Sequence, residues 1–255
     1  METKDHWEEV YTANPVTEVS WFQEHSDLSL RLIEGTGVAQ TGRIIDVGGG
    51  ASTLVDDLLA QQFEDITVLD ISAAALRTAQ ERVGPRAAQV AWLEADITTV
   101  SLARHSYDVW HDRAVFHFLT RAEDRQRYVE AVRQAVKPGG HVIVATFAAD
   151  GPLRCSGLDT MRYSPASLHA EFAEGFELVE SAHETHCTPL GTEQQFIYCH
   201  CRLVVGLPSV ERLKVERKLP VRAGPAGTVV GAVRTTDGDL LCGTIGGGLL
   251  GFGAA

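Results

Sequence analysis

An acid, Asp46, stands just ahead of three consecutive glycines, Gly48, Gly49 and Gly50, in the stretch IIDVGGGASTLVDD. A carboxylate beside a tight turn that opens a helix suits a ligand carrying both a cationic amine and a carboxylate, such as a zwitterionic amino-acid group. A dinucleotide turn would need a third glycine where Thr53 stands. A P-loop would need a lysine after the glycines, and none follows, so phosphoryl transfer is unsupported. Asp70 ends the next apolar run, twenty residues past Gly50, where a carboxylate can accept both hydroxyls of a ribose. Asp96, in LEADI, is placed to accept from an adenine amino group, with Ile97 against the ring. The three acids thus offer an amino-acid end, a ribose and an adenine along successive strand ends.

The elements that must position them follow from the pattern. From Gly42 onward, short β-rich runs alternate with helical segments, which predicts βαβ units and a parallel sheet. The strands read as RIIDVG, DITVLDI, QVAWLEADI, YDVWHDR and HVIVATF. Thr53 is expected to cap the first helix, Ser72 the second, and Thr120 with Glu123 to form a capping box on a later one that KPGG stops. After a loop, a helix near residues 165–173 precedes two strands, FELVESA and EQQFIYCHCRLV, with no helix between them. That pair predicts a hairpin or a reversed edge strand closing the sheet.

Composition narrows the partners. The 255 residues carry a formal charge of -12, which argues against a broad phosphate-binding surface and so against nucleic acid. The charged start, METKDHWEEVY, lacks the apolar core of a signal peptide, and no apolar run is long enough to span a membrane. Five cysteines, an odd number, do not read as a disulfide framework and suit a reducing cytoplasm. His183, His186, Cys187, Cys199 and Cys201 raise a metal reading, but C-x-C on a strand is not zinc-knuckle spacing, and no metal is expected. Residues 1–40 read as an N-terminal helical lid and 41–205 as the catalytic domain. Residues 206–255 read as a Gly-rich, poorly ordered extension.

Taken in order, IIDVGGGAS, VLDIS, LEADI, YDVWHDR and KPGGHVIVATF resemble the class I S-adenosylmethionine-dependent methyltransferases over about residues 1–205. The resemblance implies a Rossmann-like three-layer α/β sandwich with a seven-stranded, mostly parallel sheet whose last strand is antiparallel. It implies S-adenosyl-L-methionine as cofactor, S-adenosyl-L-homocysteine as product, and a cofactor site of Asp46, Gly48, Gly49, Gly50, Asp70, Ile71, Asp96, Ile97 and Asp112. The lead-in HWEEVYTANPVTEVSWFQEH is similar to that of a group containing lysine methyltransferases of citrate synthase and elongation factor 1A, and many bacterial proteins.

Methyl transfer from a sulfonium chiefly needs alignment and exclusion of water, so a base is optional. Asp112, Arg113 and His117 are the catalytic candidates: Asp112 positions an acceptor and His117 takes a proton, or Asp112 caps the following helix, pairs with Arg113, and His117 is a buried ring. Trp21, Phe147, Arg154 and Tyr163 are the substrate candidates, with Trp7, Tyr11 and Phe22 as further lid aromatics. A small-molecule acceptor is expected. A protein lysine acceptor, a non-catalytic cofactor-binding protein and a dinucleotide oxidoreductase are the alternatives.

Overall fold

A computed structural model describes residues 4–172 and 175–204 in full, and the backbone of 229–234, 240–246 and 249–254. Two units divide the chain, Met1–Val205 and Gly206–Ala255.

The first unit begins with helices α1 (Lys4–Ala13) and α2 (Asp27–Gly35) and continues as the alternating units the sequence predicts. Strand β1 (Arg43–Val47) leads to α3 (Leu54–Ala60), β2 (Asp65–Asp70) to α4 (Ala73–Val83), then β3 (Val90–Glu94) and β4 (Tyr107–Arg113). Helix α5 (Ala122–Ala135) precedes β5 (Val136–Phe147). A two-rung hairpin, β6 (Arg154–Cys155) with β7 (Leu158–Asp159), and α6 (Pro165–Phe172) precede β8 (Phe176–Cys187) and β9 (Glu193–Leu203). The seven long strands lie in the order β3-β2-β1-β4-β5-β9-β8, and β9 runs antiparallel to both neighbours. Strand order reverses between β1 and β4, which is where an open α/β sheet has its ligand crevice.

Alternation along each strand builds two cores. Ile45, Val47 and Trp110 face one cluster, with Tyr128 of α5 and Phe172 of α6. Ile44, Val109 and Ile143 face the other, with Leu32 and Ile33 of α2 and Leu54 and Leu58 of α3. Helix α2 is thus part of the core, whereas α1 buries no residue. Among the described residues, no helix is long and apolar enough to cross a membrane.

Local signals succeed and fail for physical reasons. Ser72 caps α4 as expected, its Oγ accepting from Ala75 N at 3.1 Å. Thr53 does not cap α3: its hydroxyl donates to the Gln23 carbonyl at 3.1 Å, and Ser52 Oγ accepts from Leu54 N instead. The capping box at Thr120 is also absent, because α5 starts at Ala122 and Arg125 takes the Leu119 and Thr120 carbonyls. KPGG lies within β5, where the pairing slips between Tyr107↔Val136 and Val109↔His141. Strand β3 ends at Glu94, so Asp96 and Ile97 belong to the following loop.

In the second unit, β10 (Val229–Arg234), β11 (Leu240–Gly246) and β12 (Leu249–Ala254) form an antiparallel three-stranded sheet in that order. The sequence reading expects poor order there. The runs VVGAVR, LLCGTIG and LLGFGA carry enough β-forming residues to pair despite their glycines. Residues 206–228 lie outside the described residues.

Candidate functional site

The glycine turn is packed against the chain's own polar groups. Gly48 has φ +71, a left-handed conformation open to glycine, and a Cβ there would sit 1.9 Å from Val115 Cγ2. Gly48 N and Gly49 N both lie within hydrogen-bond reach of the Leu69 carbonyl, at 2.7 and 3.3 Å. Gly50 N donates to Asp70 Oδ2 at 2.9 Å, which only a residue without a Cβ allows, since a Cβ would be 2.4 Å from that oxygen. The sequence reading gives these amides to a ligand carboxylate; the structure spends them on Leu69 and Asp70. What remains near the turn is Asp46. Buried and 2.7 Å from His111 Nδ1 through Oδ1, it keeps Oδ2 without a partner among the described residues. That oxygen is 2.2 Å from where a Gly49 Cβ would stand, so it faces the turn.

Asp70 is the second carboxylate at this end. Its other oxygen accepts from Ser72 N at 2.8 Å. Burial pushes its carboxyl up to about 6, against the pull of the Ser72 and Gly50 amides. Carboxylate oxygens have further lone pairs, and Asp70 lines a cleft at the strand ends.

That cleft, about 720 Å³ with its open mouth, has two halves. Val47, Gly48, Leu69, Asp70, Ile71 and Ile97 form the strand-end half. The lid half is Trp7, Tyr11, Trp21, Phe118, Arg113 and Cys155. Trp7 packs edge-on against Trp21 and Phe118, with ring centroids 5.9 and 5.1 Å apart. Helix α1 is held there by Glu8, whose carboxylate accepts from Ala73 N and Ala74 N at 2.6 and 3.1 Å, a charge at the positive end of α4. Lys4 pairs with Glu94.

Several predicted site residues do not reach the cleft. Asp112 is fully buried and accepts from Val115 N, Phe116 N and the Tyr128 hydroxyl, at 2.9, 3.1 and 2.6 Å. It is a cap and core group, with its carboxyl pushed up to about 7 by burial. His117 is fully buried against Phe147 and Phe118, pushed down to about 3 by burial and then by Arg113; its Nε2 has no partner among the described residues. Phe147 and Tyr163 are core, the latter bonded to Glu171. Arg154 is two-thirds exposed and pairs with Asp159 on the surface. Asp96 accepts from Thr98 N and its hydroxyl, both at 2.7 Å, beside the cleft residues Ala95 and Ile97. Arg113 lines the cleft but pairs with Glu184 rather than Asp112.

A polar chain runs through the interior from Asp46, under the glycine turn, to Arg113. His111 Nε2 meets Ser29 Oγ of α2 at 2.9 Å, and Ser29 meets the Tyr198 hydroxyl at 3.4 Å. Arg113 Nε donates to that hydroxyl at 3.0 Å and Nη2 to Glu184 Oε2 at 3.0 Å, with the guanidinium 4.2 Å over the Phe196 ring. Ser29, Tyr198, Glu184 and Phe118 carry no sequence signal for this role; only the fold brings them in. Phe22 lines a smaller neighbouring cavity instead. Cys199 and Cys201 are buried with their sulfurs 3.3 Å apart, and His186 Nε2 lies 2.8 Å from the Ser20 carbonyl. No group of three metal-ligating side chains converges among the described residues.

The seven-stranded order with its reversed β9, and the crevice at β1 and β4, give the Rossmann-like fold of class I methyltransferases. Residues 45–144 match the family described as a methyltransferase domain. EEF1A lysine methyltransferase 2 of Danio rerio is 25% identical over 191 residues, 69% of this chain and 76% of that protein. A ubiquinone biosynthesis O-methyltransferase of Alkalilimnicola ehrlichii is 33% identical over 104 residues, 41% of each. The N-methyltransferase NodS of Bradyrhizobium japonicum, in complex with S-adenosyl-L-homocysteine, superposes with a TM-score of 0.60 at 15% identity, over 79% of this chain and 99% of that one. A solved structure concerned with converting a disulfide bond into a thioacetal group during echinomycin biosynthesis gives 0.66 at 16% identity, over 83% and 97%.

Proposed function

We propose that the chain transfers a methyl group from S-adenosylmethionine to a small molecule held under the aromatic lid. The observation that carries this reading is Asp70, a buried carboxylate at the end of β2 lining the cleft between the glycine turn and the Ile71 and Ile97 walls. In this reading Asp70 accepts the ribose hydroxyls, and Leu69, Ile71, Ala95 and Ile97 receive the adenine, with Asp96 beside it. The unpartnered Asp46 oxygen under Gly49 faces the amino-acid end, and Gly48 lets that end lie close. The cofactor supplies an electrophilic methyl group. The chain's residues bind, align and exclude water, through a lid of rings over an apolar floor.

A protein lysine acceptor is the second reading, favoured by the lysine methyltransferase relative that matches along 76% of its length. Free cysteines Cys155, Cys187, Cys199 and Cys201 fit a reducing compartment such as the cytoplasm. Calorimetry with S-adenosylmethionine and with NADH tests the cofactor: the first is expected to bind and the second not, and preference for NADH would sink the assignment. Formation of S-adenosylhomocysteine with a panel of acceptors and cell extract then separates an enzyme from a binding protein, since a protein that only binds yields none.

A further inference from the structure

Resting on the methyltransferase reading, we infer that the acceptor is a flat, apolar molecule whose nucleophilic atom is an anionic oxygen or sulfur, received by Arg113 beneath the aromatic lid. The guanidinium is preset for this. It stacks 4.2 Å over Phe196, and Glu184 and Tyr198 hold its Nε edge. Nη1 donates to the Trp21 carbonyl at 3.4 Å. Of the five N–H groups of an arginine, one on Nη1 and one on Nη2 then have no partner among the described residues, and Arg113 lines the cleft. A fixed fork of donors with two places left matches an oxyanion or a thiolate.

The other groups in the lid half reinforce the choice. Tyr11 and Cys155 line it, and burial raises both, the thiol to about 11, so both are protonated at neutral pH and neither takes a proton. His117 lies beneath, with no exposure. Asp70, in the other half, already accepts from two backbone amides. A lysine ammonium would meet only donors from Arg113, whose charge Glu184 already balances, and find no side chain lining this half to take its proton. An anion accepts from the two open N–H groups and already carries its lone pair. Trp7, Trp21 and Phe118 stand edge-to-face, leaving apolar walls that suit a planar body.

The chemistry balances without a base. The anion's lone pair forms the new bond to the methyl carbon as the carbon–sulfur bond breaks, its electrons staying on sulfur. A sulfonium cation and an anion become two neutral products, and no proton is gained or lost. Bringing opposite charges together and cancelling them is favoured in an apolar cleft that excludes water.

The test uses the full chain and matched probes that are ionised near neutral pH, naphthoate and naphthalenethiolate, against naphthylmethylamine and a lysine peptide. Binding is read in the presence of S-adenosylhomocysteine, without turnover, by calorimetry; turnover is read as methylated product. The anionic probes are expected to bind at least about tenfold more tightly than the amines, the scale of one charged hydrogen bond, and to be methylated. Arg113→Met should remove that preference while S-adenosylhomocysteine affinity holds, and Arg113→Lys, which keeps the charge but not the fork, should fall between. If the variants misfold, the wild-type panel decides alone. Amines or the lysine peptide bound and methylated in preference to the anions would overturn the inference, as would a panel in which no anion binds although S-adenosylhomocysteine does. Failure of S-adenosylhomocysteine itself to bind would instead strike the methyltransferase reading.

Discussion

The strand-end half of the cleft draws Gly48, Leu69, Asp70, Ile71 and Ile97 from three consecutive strand ends, whereas the lid half gathers Trp7, Trp21, Arg113, Phe118 and Cys155 from five separate places along the chain. In the first, each residue is placed by the turn beside it. Asp70 is fixed by the amides of Gly50 and Ser72. In the second, each residue is placed by partners far away. Arg113 depends on Glu184 and Tyr198, and Trp7 on a helix docked by Glu8 onto α4 and by Lys4 onto Glu94. One half is a product of local geometry; the other exists only once the sheet has closed with β8 and β9.

The largest effect should come from striking the local half. Asp70→Ala removes the cleft carboxylate and is expected to weaken S-adenosylmethionine binding about a hundredfold by calorimetry, on the scale of two charge-assisted hydrogen bonds. Unchanged affinity would mean the ribose assignment is wrong and the two halves do not divide their work as proposed.

An intermediate effect tests the floor beneath the lid. Burial holds His117 neutral, with its pKa lowered from 6.5 to about 3. A histidine depressed in this way adds stability that is fully present above the unfolded value and is lost as pH falls through the folded one, because the unfolded chain binds the proton first. His117→Phe lacks that proton, so its melting temperature should fall less steeply than the wild type's from neutral pH to about pH 4. Identical slopes would show that the imidazole is not held neutral, and would restore it as a base for the lid half.

The smallest effect should come from loosening the lid. Glu8→Gln keeps the shape but removes the charge at the start of α4 and is expected to cost about 0.3–1 kcal/mol of docking. Chymotrypsin cleavage after Trp7 or Tyr11 should speed up severalfold while S-adenosylmethionine affinity changes little. Equal loss of both would show that the halves are not separable.

The same contrast sets what the sequence discloses. IIDVGGGAS, VLDIS and LEADI announce the strands and the acids at or just past their ends, because apolar runs and glycine turns are short-range consequences of residue type, whereas the seven-stranded sheet followed from the resemblance. The glycines' purpose is not disclosed in the same way. Gly50 is required by a carboxylate twenty residues away, and its amide was free to be read as a ligand donor. Asp112 looked like a site residue because it stands one residue before the end of β4, yet three donors, one of them from α5, take it inward. Arg154 shared a loop with the lid residue Cys155 and still points to solvent, since one residue along a β-hairpin changes face. Tyr198 and Glu184, a diagonal pair on β9 and β8 with Tyr198 opposite Ala182 and Glu184 opposite Phe196, become relevant only through the reversed strand.

The unequal anchoring of the first two helices has a kinetic consequence. Helix α2 places Leu32 and Ile33 in the core and Ser29 in the chain of hydrogen bonds to Asp46, so moving it would break the sheet's own packing. Helix α1, across Pro15, has nothing in the core and carries Trp7 over the mouth. Residence time in the cleft is therefore expected to follow how often ten residues of helix let go, a step held by Glu8 on α4 and by Lys4 on Glu94 rather than by the core.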